Sequence, residues 1–478
     1  MPKSEGLTSG LPGPAGETAA ESLPVTGDLP RWLHGSLLRN GPAGFATGEG
    51  ALRHWFDGPA IRHRFTIGED TVAYAQRPLP APSAHAVRDE HRIGFPEFAT
   101  DPCRSLFARL LTVFCGDGPA AGSGGVTVTC FGERYVPLGE TPLPVEFAPG
   151  TLRTAGVVAY EDQLAGQVTT AHPHLAPGTG DLINHVTQFA RRSAYRLYRR
   201  RPGGAERELI GGHRVARPGY THSFGITDRY AVLAEFPLVV NPFAPLLSGR
   251  PFIENFRWEP ARGTRFIVFD LREGGVRGVY ETAAYFSFHH INAWEDRAGE
   301  LILDLCAYDD PAIVRVMSLD RLRPGHRLPG AVPTRFRIGL ADGRVTAERL
   351  TDETLELPRV HYVRHNGRPY RFVYGIGAAR TGTGFADRLV KLDVTTGATR
   401  EWREDGCHPG EPVFVPAPRG AAEDAGVVLS VVLDTTDPAA PGSFLLALDA
   451  GTFTERARAR APRTIPSAGH GLFTTTRG

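Results

Sequence analysis

Four histidines are the residues in this chain best placed to do chemistry. His172 (TTAHPHLAPGTGDL), His222 (GYTHSFGIT), His289 (YFSFHHINAWED) and His470 (PSAGHGLF) each lie at or near the start or end of an apolar, strand-like run. Neutral imidazole is the commonest protein ligand for a metal, so a convergent set could share one ion and open it to substrate. Spacings of 50, 67 and 181 residues exclude a short local motif such as H-E-x-x-H. Taken singly, each is more often a satisfied structural histidine. Only a fold that gathers remote segments would bring the four together.

The intervening sequence points to such a fold. Short β-branched or aromatic runs bounded by turn residues recur from about residue 30 to the C-terminus, among them RFTIGEDTVAYAQR, YAVLAEFPLVV, ELILDLCAY and GVVLSVVLDTT. FDLREGGVRGVYE and LDVTTGATREW read as hairpins closed by a Gly-containing turn. Gly (56) and Pro (40) make up about one residue in five of the 478, against roughly 12% in average usage, which favours tight turns over long helices. The pattern predicts an all-β protein. Strand units spread over some 450 residues without a clear linker suit one β-propeller, whose blades each present a strand to a common axis. Residues 1–25, rich in Gly, Pro, Ser and Glu, read as a disordered lead-in to a single domain over 26–478. The clearest helical stretch is DPCRSLFARLLTVFCG, with Leu106, Phe107, Leu110, Leu111 and Phe114 near one face. Its two readings are core packing and an interfacial membrane patch.

Composition removes other classes. Lys plus Arg total 53 against 52 Asp plus Glu, a net charge of +1, so no single-sign field would hold a nucleic acid. No protein partner is predicted. Five scattered cysteines (103, 115, 130, 306 and 407) form no C-x-x-C pair, which argues against a disulfide framework or a thiolate zinc site. No secretory h-region and no long uninterrupted apolar window is present. The expectation is a cytoplasmic protein with at most peripheral membrane attachment.

From about residue 30 to its end the chain resembles the carotenoid cleavage oxygenase family, in particular the branch of animal β-carotene oxygenases and the retinoid isomerase. The resemblance is carried by LHGSLLRNGPAGF, HWFDGPAIRHRF, FPEFATDPCRSLFARLLTVF, TLRTAGVVAYEDQLAGQVTTAHPHLAPGTGDLIN, YTHSFGITDRYAVLAEFPLVVN, FHHINAWED, GEPVFVPAPRGAAEDAGVVLSVVLDTT and HGLF, in that order. An Arg-rich chain whose only lysines are Lys3 and Lys391 is read as a bacterial member.

The resemblance implies a seven-bladed propeller capped by a dome of helices and loops, with non-haem Fe(II) on the axis and O2 as co-substrate. The family's ligand positions fall on His172, His222, His289 and His470, with His290 pointing elsewhere and His54, His63, His174 and His185 outside the metal shell. Its three outer glutamates fall on Glu140, Glu356 and Glu411, with the pairing to particular histidines left open. Phe56, Tyr220, Tyr308 and Leu357 would line an apolar substrate tunnel, each equally readable as core packing. The implied reaction breaks a C=C bond of a carotenoid or apocarotenoid, the central 15,15′ bond first among them, into two carbonyl products. Alternatives are a stilbene-cleaving dioxygenase, disfavoured because Gly139 replaces the lysine expected before the first glutamate, and a retinoid-type isomerase. A non-enzymatic binding propeller is the bland reading; a glycan-processing one lacks the paired carboxylates it would need. Residues 103–115 would contact the membrane surface, with Cys103 at the position of a lipidation candidate.

Overall fold

A computed structural model describes residues 16–43, 53–57, 60–79, 126–140, 145–158, 160–244, 248, 250–322, 328–378, 386–437, 440–467 and 469–475. Seven antiparallel sheets of four or more strands follow one another along the chain, the seven blades of a β-propeller. Blade 1 combines Thr18–Leu23, Gly35–Pro42, Ala60–Gly68 and Thr71–Pro78 with the C-terminal strand Gly471–Thr474, so strands from both ends of the chain close the ring. Blade 2 holds Thr127–Phe131, Arg134–Leu138, Val145–Phe147 and Thr154–Val157. Blade 3 begins with the short strands Val168–Thr169 and His174–Leu175 and continues through Leu182–Gln188, Ser193–Arg200 and Glu208–Val215. Blades 4, 5 and 6 open with Gly225–Ile226, His290–Glu295 and Glu356–Arg359. Blade 7 is built on Gly426–Asp434, Gly442–Asp449 and Glu455–Arg460, with Val25–Gly27 added at its far edge.

The alternating strands bury both faces because each blade packs on two neighbours. Ile183, Tyr195 and Leu197 of blade 3 meet Phe224, Leu233 and Ile267 of blade 4. Tyr374 and Leu389 of blade 6 meet Val428, Phe444 and Leu446 of blade 7. Leu37, Phe65 and Tyr74 of blade 1 meet Leu429, Val431 and Leu445 of blade 7, an apolar seal at the point of ring closure.

Lys391 fastens blades 6 and 7. Its buried ammonium donates to Asp424 Oδ2 at 2.6 Å and to the carbonyls of Ala450 and Gly451 at 2.8 and 2.9 Å, so all three N–H bonds are used. In a chain where nearly every other cation is arginine, the compact geometry explains this lysine: a planar guanidinium cannot direct three donors at one convergent set of acceptors. Lys391→Met is expected to cost about 3 kcal/mol in urea unfolding, because it strands a carboxylate and two carbonyls. A loss below about 0.5 kcal/mol, the range of an ordinary surface change, would refute the fastening role.

The lead-in expected over residues 1–25 is corrected from Thr18 onward. Thr18–Leu23 pairs antiparallel with Thr71–Pro78, and Val25–Gly27 with Glu455–Arg460. The segment is polar because Ala19–Ser22 forms an exposed outer strand, a position that favours polar side chains as much as disorder does. Helix among the described residues is limited to short turns such as Ala312–Val316 and Tyr362–His365, and none is long and apolar enough to cross a membrane. The stretch 103–115, with Cys103 and the expected membrane contact, lies outside the described residues.

Candidate metal centre

Each of the four singled-out histidines lies beside a strand at one end of its blade's sheet. His172 sits between Val168–Thr169 and His174–Leu175, His222 precedes Gly225–Ile226, His289 precedes His290–Glu295, and His470 precedes Gly471–Thr474. Blades 3, 4, 5 and 1 thereby each contribute one imidazole to the axis. One ring nitrogen from each lies within 4.8 Å of all the others. His172 Nε2 and His222 Nε2 are 3.1 Å apart, and the ring centroids of His172 and His470 are 4.6 Å apart.

Carboxylates hold three of the rings from behind, and the structure settles their pairing. His222 Nδ1 lies 3.0 Å from Glu140 Oε1, His289 Nδ1 2.5 Å from Glu356 Oε2, and His470 Nδ1 2.6 Å from Glu411 Oε1. An ionised carboxylate accepts only, so with the glutamates ionised each Nδ1 is the N–H and each Nε2 presents its lone pair to the centre. His172 has no carboxylate on its ring among the described hydrogen bonds; the Thr170 hydroxyl accepts its backbone N–H at 3.0 Å.

The glutamates are themselves fixed. Arg359 donates to Glu411 through Nε and Nη2 at 2.8 and 3.0 Å, and the Gly471 N–H adds a bond at 2.8 Å. Leu357 takes a left-handed backbone, φ 49°, and its N–H donates to the Glu356 carboxylate at 2.8 Å. Such a backbone is uncommon for a bulky residue and concentrates at functional sites. Tyr220 donates its hydroxyl to Glu140 at 2.8 Å.

Burial, reinforced by the neighbouring imidazoles, holds His172 and His289 well below the ordinary histidine range, so both are neutral and able to ligate at pH 7. Burial raises Glu356 to about 7. At Glu411 burial works the same way but is overcome by Arg359 and His470, which bring it down to about 2. Burial and the Glu140 charge push the Tyr220 phenol up, keeping it a donor.

This donor set fits a divalent cation. The buried Nε2 of His289 has no hydrogen-bond partner, and His172 Nε2 and His222 Nε2 face each other at 3.1 Å, a convergence of ring nitrogens that a metal satisfies. Three carboxylates and one guanidinium around four neutral rings leave, when ionised, the charge that balances a dication.

Beside the centre lies a cavity of about 420 Å³ lined by Phe56, Trp55, Phe288, Tyr308, Met317, Leu328 and Leu357 together with His222, His289 and His470. Phe56 stacks over His222 at 6.1 Å and meets Phe288 edge-on at 5.7 Å. Of the four residues expected in the tunnel, Phe56, Tyr308 and Leu357 line this cavity and Tyr220 does not. Tyr220 is 3% exposed, its ring packed on Phe286 and its hydroxyl spent on Glu140, so it supports the His222 side of the centre.

The remaining histidines bond elsewhere. His54 Nε2 reaches the Val314 carbonyl at 2.7 Å, His63 the Tyr74 hydroxyl at 2.8 Å, His174 the Phe224 carbonyl at 2.9 Å, and His290 Nδ1 the Ser223 hydroxyl at 2.7 Å. The nitrogens of His185 bond to none of the four clustered rings. Thr170, Ser223, Arg359 and Phe288 were not singled out from sequence. Arg359, three residues beyond Glu356, is the one whose charge could have flagged it.

The family model described as retinal pigment epithelial membrane protein matches residues 14–475. The chain is 34% identical over 515 residues to the mitochondrial carotenoid-cleaving dioxygenase of Macaca fascicularis, covering 95% of this chain and 91% of the relative. It is 31% identical over 511 residues to the beta,beta-carotene 15,15′-dioxygenase of Homo sapiens, covering 94% and 91%. Among solved structures, a mutant of Synechocystis apocarotenoid oxygenase superposes with a TM-score of 0.84 at 26% identity over 98% of both chains. The cobalt-substituted form of that oxygenase matches with the same score, identity and coverage.

Proposed function

The chain belongs to the carotenoid oxygenase family, and from that premise we propose that it is a non-haem Fe(II) dioxygenase that cleaves one C=C bond of a carotenoid or apocarotenoid into two carbonyl products. The observation that carries this reading is the convergence of His172, His222, His289 and His470 beside an apolar cavity. Ferrous iron, bound by those imidazoles, supplies the activation of dioxygen. The reaction adds both oxygen atoms across the double bond and releases no proton, so the site needs no general acid or base. That agrees with the hydrogen bonds that commit Glu140, Glu356 and Glu411 to ring N–H groups.

The chain's own residues bind, orient and exclude water. Phe56, Phe288 and Tyr308 form an aromatic wall against which a conjugated chain stacks, and Leu357 places the double bond near the Glu356 side of the centre. Burial and Glu356 keep the Tyr308 phenol protonated at the wall. The central 15,15′ bond is the favoured position of cleavage.

The test combines iron analysis of the purified protein with turnover of β-carotene and a β-apocarotenal, products identified by mass. One iron per chain and two carbonyl fragments are expected; a metal-free, inactive protein points instead to a binding propeller. We also assign a peripheral contact with a cytoplasmic membrane face to residues 103–115, on their apolar, Arg-flanked sequence. Replacing Leu110 and Leu111 together with Glu is expected to abolish co-flotation with liposomes. Unchanged flotation rejects that contact.

A further inference from the structure

Two buried hydroxyls join the strand ends that carry three of the four imidazoles. Thr170, two residues before His172, donates its hydroxyl to the His222 carbonyl and accepts the His172 N–H at 3.0 Å. Asn184 holds Thr170 in blade 3 by donating to its carbonyl at 3.0 Å. Ser223, the residue after His222, donates to the Phe288 carbonyl at 2.7 Å and accepts the His290 N–H at 2.9 Å. Its remaining lone pair accepts from His290 Nδ1 at 2.7 Å, which saturates the hydroxyl and fixes the His290 tautomer. The Ser223 bonds therefore grip blade 5 immediately before and after His289. Gly225 lets the two blades come this close, since a Cβ there would lie 2.6 Å from Leu303 Cδ1 and 3.2 Å from Ala293 Cβ.

We propose that Thr170 and Ser223 are positioning residues that set the separation of His172, His222 and His289, and with it the affinity and geometry of the metal site. The inference rests on the iron-centre reading above. Carboxylates and hydroxyls divide the task. Glu140 and Glu356 hold the rings of His222 and His289 against rotation, and the Glu140 carbonyl also accepts the Thr169 N–H at 2.9 Å, but neither carboxylate bonds to the backbone of a second ligand-bearing strand. Thr170 and Ser223 do that, from blade 3 to 4 and from blade 4 to 5. His172 depends on this most, because Thr170 provides the side-chain hydrogen bond that ties its backbone to the neighbouring blade.

Propellers meet at the axis through short strand ends, where ladder hydrogen bonds run within blades and not between them. Backbone bonds cross at the His470 side, where its N–H reaches the Val126 carbonyl at 3.0 Å, whereas from blade 3 to 4 and from blade 4 to 5 the hydrogen bonds beside the ligands come from side chains: Thr170, Ser223 and His174, whose Nε2 meets the Phe224 carbonyl at 2.9 Å. A neutral hydroxyl bonds across without adding charge beside a cation that the outer carboxylates already balance.

The test uses the full chain stripped of metal and titrated with Co(II), whose visible bands report ligand number and geometry. The variants are Thr170→Val, which keeps the side-chain shape, and Ser223→Ala, with Thr170→Ser as the conservative rescue. Losing an outer partner of a metal ligand costs on the order of 10–100-fold in affinity. Both Thr170→Val and Ser223→Ala are expected to weaken Co(II) binding by about 10-fold or more and to shift its visible bands, with the metal-free proteins still folded by circular dichroism. Thr170→Ser is expected to restore parental affinity and spectrum. Parental Co(II) affinity and bands in Thr170→Val and Ser223→Ala would overturn the proposal, and if a variant fails to fold, Thr170→Ser decides: weakened binding in that folded protein, where the hydroxyl is retained, refutes the role. Failure of the unaltered chain to bind Co(II) through nitrogen ligands counts against the metal-centre reading itself, and is thus a separate result.

Discussion

Replacing His289 with alanine is expected to leave a folded protein that retains less than a tenth of the parental iron and gives no detectable cleavage. The expectation follows from what this imidazole does. Its Nε2 is buried and without a hydrogen-bond partner, while its Nδ1 is clamped at 2.5 Å on Glu356. Alanine removes a ligand and also uncouples Glu356, whose carboxylate then lacks the ring N–H that tied it to the centre. Loss of an outer partner alone lowers metal affinity by about 10–100-fold, and loss of the ligand with its partner should exceed the upper end of that range. Three imidazoles would also leave the ion open to additional water, in a cavity whose aromatic wall otherwise keeps water away. The measurement is metal content after gel filtration beside turnover, with the thermal midpoint as a folding control. Stoichiometric iron and parental turnover in this variant would show that the ion is held elsewhere.

Much of this centre could be read from the sequence, and the division between what could and could not is physical. The four histidines stood out because each adjoins an apolar run that a propeller delivers to its axis, and periodic strands with turn residues announce the propeller at the level of single blades. Thr18–Leu23 was misread because an exposed outer strand and a disordered segment share a polar composition. Pairing of Glu140, Glu356 and Glu411 with particular rings could not be deduced, since it depends on how blades are rotated about the axis and not on spacing along the chain. Tyr220, two residues before His222, shares its side of the extended backbone, and both reach Glu140; the phenol is taken up by that carboxylate and by packing on Phe286, which keeps it off the cavity wall, and spacing along the chain does not reveal this. Thr170 and Ser223 carry no signal at all: an isolated hydroxyl residue in a β protein is ordinary until the neighbouring blade is in place. Resemblance to a family supplies the ligand set and the three outer glutamates as groups, whereas their pairing and the contact with Arg359 emerge only from geometry.

Among the three outer glutamates, Glu411→Gln is expected to do the most damage, more than Glu140→Gln and Glu356→Gln, with iron affinity down by about 100-fold, the upper end for loss of an outer partner. Glu140 and Glu356 each accept from a ring and one further donor, and an amide oxygen can serve those bonds once the side chain is turned the right way. Glu411 accepts from four: His470 Nδ1, Arg359 Nε and Nη2, and the Gly471 N–H. Both carboxylate oxygens are in use, so whichever way glutamine is placed, its NH2 faces donors, either Arg359 and the Gly471 N–H or Arg359 and the His470 ring. Charge adds to the geometric conflict. Arg359 holds Glu411 ionised down to about 2 despite burial, and without that carboxylate the guanidinium stands uncompensated beside a site built for a dication. The same reasoning makes the double variant Glu411→Gln with Arg359→Met milder than Glu411→Gln alone, because removing the guanidinium removes both the stranded charge and the clashing donors. Metal titration of the two variants and the parent checks this. A double variant that binds iron more weakly than Glu411→Gln alone would mean that Arg359 supports the centre through packing rather than through its charge.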